Sequence, residues 1–205
     1  MDSYGYHFRG PTKVVISRQN MRLTELNPYP NVQVLKCWNN RLTSVPMYQT
    51  LEDLKCGNVC PRDEQRPGYL WGNHLPKLPD FPSLEKLHCG NVGPTQLPNC
   101  PHLEYLDCSD NKLTEIPPYN WLTALYCGNA VGGSNQIREL TMYPLLRVLN
   151  CPNAGIESLP LYPKLGTIDL TGNPIAEMME DPTSIVEYRR MATPRAKSAR
   201  SATDY

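Results

Sequence analysis

No stretch of this 205-residue chain reaches the ~18 consecutive apolar residues needed to cross a bilayer. Its N-terminus, MDSYGYHFRGPTK, lacks the apolar run of a secretion signal. The sequence therefore predicts a soluble, unsecreted protein. Charge of one sign is also missing, since 20 basic residues balance 20 acidic ones. A sequence-independent grip on nucleic acid is not expected. Absent too are a nucleophile elbow, a phosphate loop and a zinc-ligand pair. These absences predict no enzyme, no catalytic residue, no cofactor, no metal and no small-molecule substrate.

What the chain has in quantity is proline, 21 residues, and cysteine, 8 residues, both at regular intervals. Aligning the cysteines gives VQVLKC, LEDLKC, LEKLHC, LEYLDC, LTALYC, LLRVLNC and, with leucine in place of cysteine, LGTIDL. The copies start at Val32, Leu51, Leu84, Leu103, Leu122, Leu146 and Leu165, a 19-residue unit with insertions in two copies. A degenerate copy over residues 14–30 makes about eight repeats. The unit reads L1-x-x-L4-x-C6-x-x-N9-x-L11-T-x-L14-P-x-Y17-P18-x, its positions numbered from the first leucine.

The motifs LEYLDCSDNKL and LGTIDLTGNPI resemble the LxxLxLxxNxL signature of leucine-rich repeat proteins. The LPxxP tail is similar to the short repeats of bacterial effectors and of leucine-rich proteins of large DNA viruses. The resemblance implies a β-rich solenoid with one parallel strand per turn. Alternation puts positions 4 and 6 inside and positions 3, 5 and 7 on the concave face. Prolines at 15 and 18 predict a helix-poor convex side. Cys37, Cys56, Cys89, Cys108, Cys127 and Cys151 all fall at position 6 and are expected to be free, buried packing residues. A reducing compartment follows, either the cytoplasm or a virion assembled there. Asparagine at position 9 (Asn40, Asn111, Asn173, and Asn73 and Asn135 after the insertions) is expected to satisfy backbone groups. At position 14 stand Leu26, Val45, Leu78, Leu97, Ile116, Leu140, Leu159 and Met178. Position 17 forms a column from Tyr29 to Tyr162 with Phe81 and Cys100, read as convex packing with surface hydroxyls or as a binding stripe.

The expected organisation is an N-terminal cap segment at 1–12, a solenoid at 13–180, a capping helix at 181–192 and a basic tail at 193–205. Ile185, Val186 and Met191 are expected to cover the last turn. The insertions lie near 57–72 and 128–134. A higher order is visible as well: CGNV at 56 and 89, CGNA at 127 and CPNA at 151 alternate with C-x-x-N copies in the order ABBABBA. A duplicated three-repeat block would send both insertions out of the same edge, three turns and ~14 Å apart.

Protein-binding candidates on the concave face are Lys36, Trp38, Lys55, Lys86, His88, Tyr105, Asp107 and Tyr126. Trp38 is either an interaction anchor or covered by the N-terminal segment. Gly57, Gly90 and Gly128 at position 7 either admit a partner to the backbone or serve the turn. In the insertion and tail the candidates are Tyr69, Trp71, Arg189, Arg190, Arg195, Lys197 and Arg200. Cys56, Cys60 and His88 do not make a metal site in this frame, because Cys56 faces inward.

Together these features predict a non-enzymatic scaffold that binds protein. The viral resemblance implies a structural or cementing component of a large assembly such as a virus capsid, partnered by capsid or other assembly subunits. A soluble recognition module or effector that binds one host protein is the alternative, and a regulatory subunit of an enzyme is a third.

Overall fold

The computed structural model describes residues 13–58, 72–129 and 135–192. Eight three-residue strands occur once per turn: β1 (Val15–Ser17), β2 (Val34–Lys36), β3 (Asp53–Lys55), β4 (Lys86–His88), β5 (Tyr105–Asp107), β6 (Ala124–Tyr126), β7 (Val148–Asn150) and β8 (Thr167–Asp169). They form one parallel sheet in sequence order. Register is kept at every step, with Leu35, Leu54, Leu87, Leu106, Leu125, Leu149 and Ile168 opposite one another. The strands cover only positions 3 to 5, because the chain turns away after the inward residue at position 6. Position 4 is buried in β2 to β8, while positions 3 and 5 stay partly or wholly exposed.

The buried asparagines are the polar struts between turns. Asn111 donates to the carbonyls of Cys89 and Cys108, both at 2.9 Å, and accepts from the Val92 and Gly93 amides. Asn40, Asn73, Asn135 and Asn173 each likewise donate to carbonyls of two turns and accept a backbone amide. Every one is nearly inaccessible, so water cannot do this work. The preceding position adopts left-handed backbone at Asn39, Asn91, Asp110, Asn153 and Gly172, which suits Asn, Asp and Gly.

Both insertions close on the same clamp. Asn58 accepts from the Asn73 amide at 2.8 Å and donates to the carbonyls of Asn73 and Asn91. Asn129 accepts from the Asn135 amide at 2.9 Å and donates to the carbonyls of Asn135 and Asn153. The two clamps follow β3 and β6, three strands apart on one edge, as the ABBABBA order predicts. The inserted residues 59–71 and 130–134 themselves lie outside the described residues, as do the N-terminal cap segment 1–12 and the tail.

Three expectations need correction. The first concerns the cysteines: Cys127 and Cys151 form a disulfide with Cα atoms 4.7 Å apart, while Cys37, Cys56, Cys89, Cys100 and Cys108 are free and buried. In-register parallel strands bring equivalent side chains about 4.8 Å apart and point them the same way, within bridging distance. The argument for a reducing compartment loses its premise that every repeat cysteine is a free thiol.

Second, four of the five position 17 hydroxyls are engaged by backbone rather than left at the surface. Those of Tyr48, Tyr119, Tyr143 and Tyr162 donate to carbonyls of the preceding turn: Asn27, Pro98, Ile116 or Pro117, and Thr141. Five of the six residues from Tyr48 to Tyr162 at this position, Phe81, Cys100, Tyr119, Tyr143 and Tyr162, are less than 5% exposed, so the column is packing and not a binding stripe.

Third, the C-terminal cap is anchored differently. Helix α1 (Ile185–Ala192) turns Val186 outward at 73% exposure and buries Tyr188 to 1%. The Tyr188 hydroxyl donates to the Pro160 carbonyl at 2.6 Å and accepts from the Tyr162 amide at 2.8 Å, which extends the tyrosine column by one place. Ile185 and Met191 pack beside it as expected. The helix starts with a capping arrangement in which the Glu187 amide donates to the Ser184 hydroxyl and the Glu187 carboxylate accepts from the Glu180 and Asp181 amides. A 3-10 helix (Pro174–Met178) replaces extended chain in the last turn. It leaves Met178 66% exposed, and Met179 packs against the core instead.

Candidate protein-binding face

The concave face is a grid fixed by the register. Along position 5 run Lys36, Lys55, His88, Asp107 and Tyr126. Along position 3 run Val34, Asp53, Lys86, Tyr105 and Ala124. Diagonal neighbours meet as an aromatic run at its centre. The rings of His88 and Tyr105 lie 4.6 Å apart, and those of Tyr105 and Tyr126 lie 5.4 Å apart. Both spacings suit tilted aromatic contact. The sequence-predicted residues Lys36, Lys55, Lys86, His88, Tyr105, Asp107 and Tyr126 are therefore brought onto one continuous patch.

Its electrostatics are graded along the solenoid. Lys36 and Lys55 face each other across β2 and β3, and the Lys55 ammonium lies 3.8 Å from the Asp53 carboxylate. Burial first, and then the Lys55 charge, lower the pKa of His88. The imidazole is thereby kept neutral at pH 7 and joins the patch as an aromatic ring. Burial, aided by Asp107, pushes the Tyr105 phenol up to about 12. On the other side stand Asn150 and Asp169, linked at 3.4 Å. Asp107 also has a structural duty, accepting from the Ser109 amide at 3.1 Å.

Trp38 is half-buried at position 7, on the rim beside this patch. Two glycines of that row, Gly57 and Gly128, are required by close packing between turns. A Cβ on Gly128 would lie 2.4 Å from Pro152 Cδ, and one on Gly57 would lie 3.0 Å from the Gly90 carbonyl oxygen. At Gly90 the nearest atom would be at an ordinary 3.4 Å. Arg189 donates to the Leu165 carbonyl at 2.8 Å and so helps hold α1 to the last turn, while Arg190 is exposed. Tyr69, Trp71, Arg195, Lys197, Arg200 and Cys60 lie outside the described residues.

Among the described residues no group of three or more His, Cys, Asp or Glu side chains is placed to hold a metal ion. Nor, among them, is any helix long and apolar enough to cross a membrane. Sequence reasoning missed the exposed apolar side chains away from the concave face: Trp121 at 54%, Met142 at 49% and Leu161 at 39%. A signal existed for Trp121, which holds position 19 where five of the six other copies carry a polar residue (Asn31, Thr50, Ser83, His102 and Lys164) and one carries Leu145.

Compared with known proteins, residues 102–123 match the Leucine Rich Repeat family. No curated protein and no solved structure matches the chain. The matched segment is the turn that carries β5, Asn111 and Leu113, and the same geometry recurs in the turns on either side of it. With its 19-residue unit, one parallel strand per turn and asparagine struts, the chain has the fold of a leucine-rich repeat solenoid.

Proposed function

We propose that the protein is a non-enzymatic scaffold that binds a protein partner through the concave face. The observation that carries this reading is the half-exposed run His88, Tyr105 and Tyr126, held at fixed spacing on a rigid sheet and flanked by Lys36 and Lys55. Aromatic side chains whose shape is set before binding lose little entropy when a partner covers them, which makes them effective anchors. The test is a quantitative comparison of co-purifying proteins for the wild type, a Trp38→Ala and Tyr126→Ala double variant, and a Trp121→Ala variant. The double variant is expected to lose its partner and Trp121→Ala to keep it. Retention by the double variant refutes the concave site.

A second reading is a structural or cementing component of a large assembly such as a virus capsid. It is favoured by Trp121, Met142 and Leu161, which lie exposed on the turn side and offer a second contact surface. An assembly component uses several faces, so the concave double variant alone would then leave incorporation largely intact. Sedimentation of the native extract separates the two readings. Migration with a megadalton particle through a salt wash supports the assembly role, and recovery near the monomer mass of 23.2 kDa, alone or with one modest partner, rules it out.

A further inference from the structure

The six cysteines at position 6 form an unbranched path. They follow one another on successive strands as Cys37, Cys56, Cys89, Cys108, Cys127 and Cys151, with Arg18 before them and Leu170 after them. Adjacent members are about 4.8 Å apart, inside the bridging range, and members two turns apart are roughly 9.6 Å apart, outside it. A disulfide can therefore join only neighbours in this column. A path of six has one complete pairing into neighbours: Cys37 with Cys56, Cys89 with Cys108, and Cys127 with Cys151. The bond present, Cys127–Cys151, belongs to that pairing. Had Cys108 bonded Cys127 instead, Cys151 would have been stranded against Leu170.

We propose that Cys37–Cys56 and Cys89–Cys108 are two further disulfide sites. The fully oxidised chain then carries three staples, joining turn 2 to 3, 4 to 5 and 6 to 7, and leaves the steps between these pairs free. Cys37, Cys56, Cys89 and Cys108 are fully buried, and burial pushes the Cys37 thiol up to about 12. Thiolate is scarce in the closed solenoid, so oxidation runs through local opening of a turn or during folding. With glutathione disulfide as oxidant, one cysteine thiolate attacks its sulfur and expels a glutathione thiolate. The neighbouring cysteine then attacks the mixed disulfide and expels the second. The two cysteines lose two electrons to the glutathione disulfide, and the two glutathiones released take up the two protons.

The experiment uses the full chain, oxidised with glutathione disulfide both as the folded protein and during refolding from denaturant. Bonds are read from a non-reduced thermolytic mass map, in which cuts before Val92 and Leu103 separate Cys89, Cys100 and Cys108. Links Cys37–Cys56 and Cys89–Cys108 are expected beside Cys127–Cys151, with the thermal midpoint raised by roughly 5 to 10 °C per added bond. A Cys37→Ser variant is expected to stop at two bonds, with one column thiol left to alkylate after denaturation. A Cys56–Cys89 link in the wild type, a link from the column to Cys60 or Cys100, refolded protein bearing Cys127–Cys151 alone, or three bonds in the Cys37→Ser variant overturns the proposal.

Discussion

Replacing Asn111 with leucine keeps a side chain of similar bulk and removes an amide that holds two turns together. The amide makes four hydrogen bonds, to the Cys89 and Cys108 carbonyls and from the Val92 and Gly93 amides. One of these partners is insured, since the Cys108 carbonyl also accepts from Asn135 at 3.0 Å. The variant thus strands the other three, and Asn111 is 1% exposed, so water has no ready access. At about 1 to 3 kcal/mol per unpaired buried group, and with Gly93 only half-buried, the expected loss is roughly 3 to 6 kcal/mol. A domain holds about 5 to 15 kcal/mol in all, so the variant should be marginal at room temperature. Denaturant titration gives the loss, and amide exchange should show β4 and β5 opening first. A loss below about 1 kcal/mol would refute the strut account. A companion Asn111→Asp tests the donor role. Its carboxylate keeps the acceptor bonds but faces two carbonyls without a proton, so its folded pKa is raised. Such a group stabilises below its unfolded pKa and loses that contribution as pH rises through the folded pKa. Acidification should therefore narrow the gap to wild type, and a gap independent of pH would mean that the donor bonds are not what matters.

Three further outcomes are expected. Gly128→Ala should lower the thermal midpoint by several degrees, corresponding to about 1 to 3 kcal/mol of forced repacking against Pro152, whereas Gly90→Ala should change it little. Equal effects at the two sites would remove the packing explanation. Tyr188→Phe deletes the hydroxyl shared by Pro160 and Tyr162 and should cost about 1 to 3 kcal/mol, read as early fraying of α1 in amide exchange; unchanged protection of the Tyr162 amide would count against it. His88 has a folded pKa below its usual value, so the unfolded chain binds the extra proton first as pH falls. Stability should decline as the pH drops below about 6.5, and His88→Gln should flatten that slope, as measured by melting across pH.

Much of the fold was legible because the period does so much of the work. Leucine at 4, cysteine at 6 and asparagine at 9 recur every 19 residues, so each turn repeats one local answer and strand order follows chain order. The concave grid was legible for the same reason: alternation along a strand puts positions 3 and 5 on one face once position 4 is buried. The site was less legible where one turn meets the next. Gly128 reads as a place for a partner until Pro152, in the following turn, occupies the space its Cβ would need. Val186 reads as a capping residue, yet the helix phase that lets Tyr188 reach the Pro160 carbonyl turns Val186 to solvent.

By itself, then, the order of residues determined the repeat, the parallel sheet, the inward columns and the positions of both insertions, because each depends on local alternation copied along the chain. Tertiary structure alone decided that His88, Tyr105 and Tyr126 touch as one aromatic run and that Tyr188 closes the tyrosine column. It also decided that Cys127 bonds Cys151 while four column thiols stay free. Each of these joins residues from different turns, often some 20 residues apart, and rests on distances of a few ångströms that exist only after the turns have stacked.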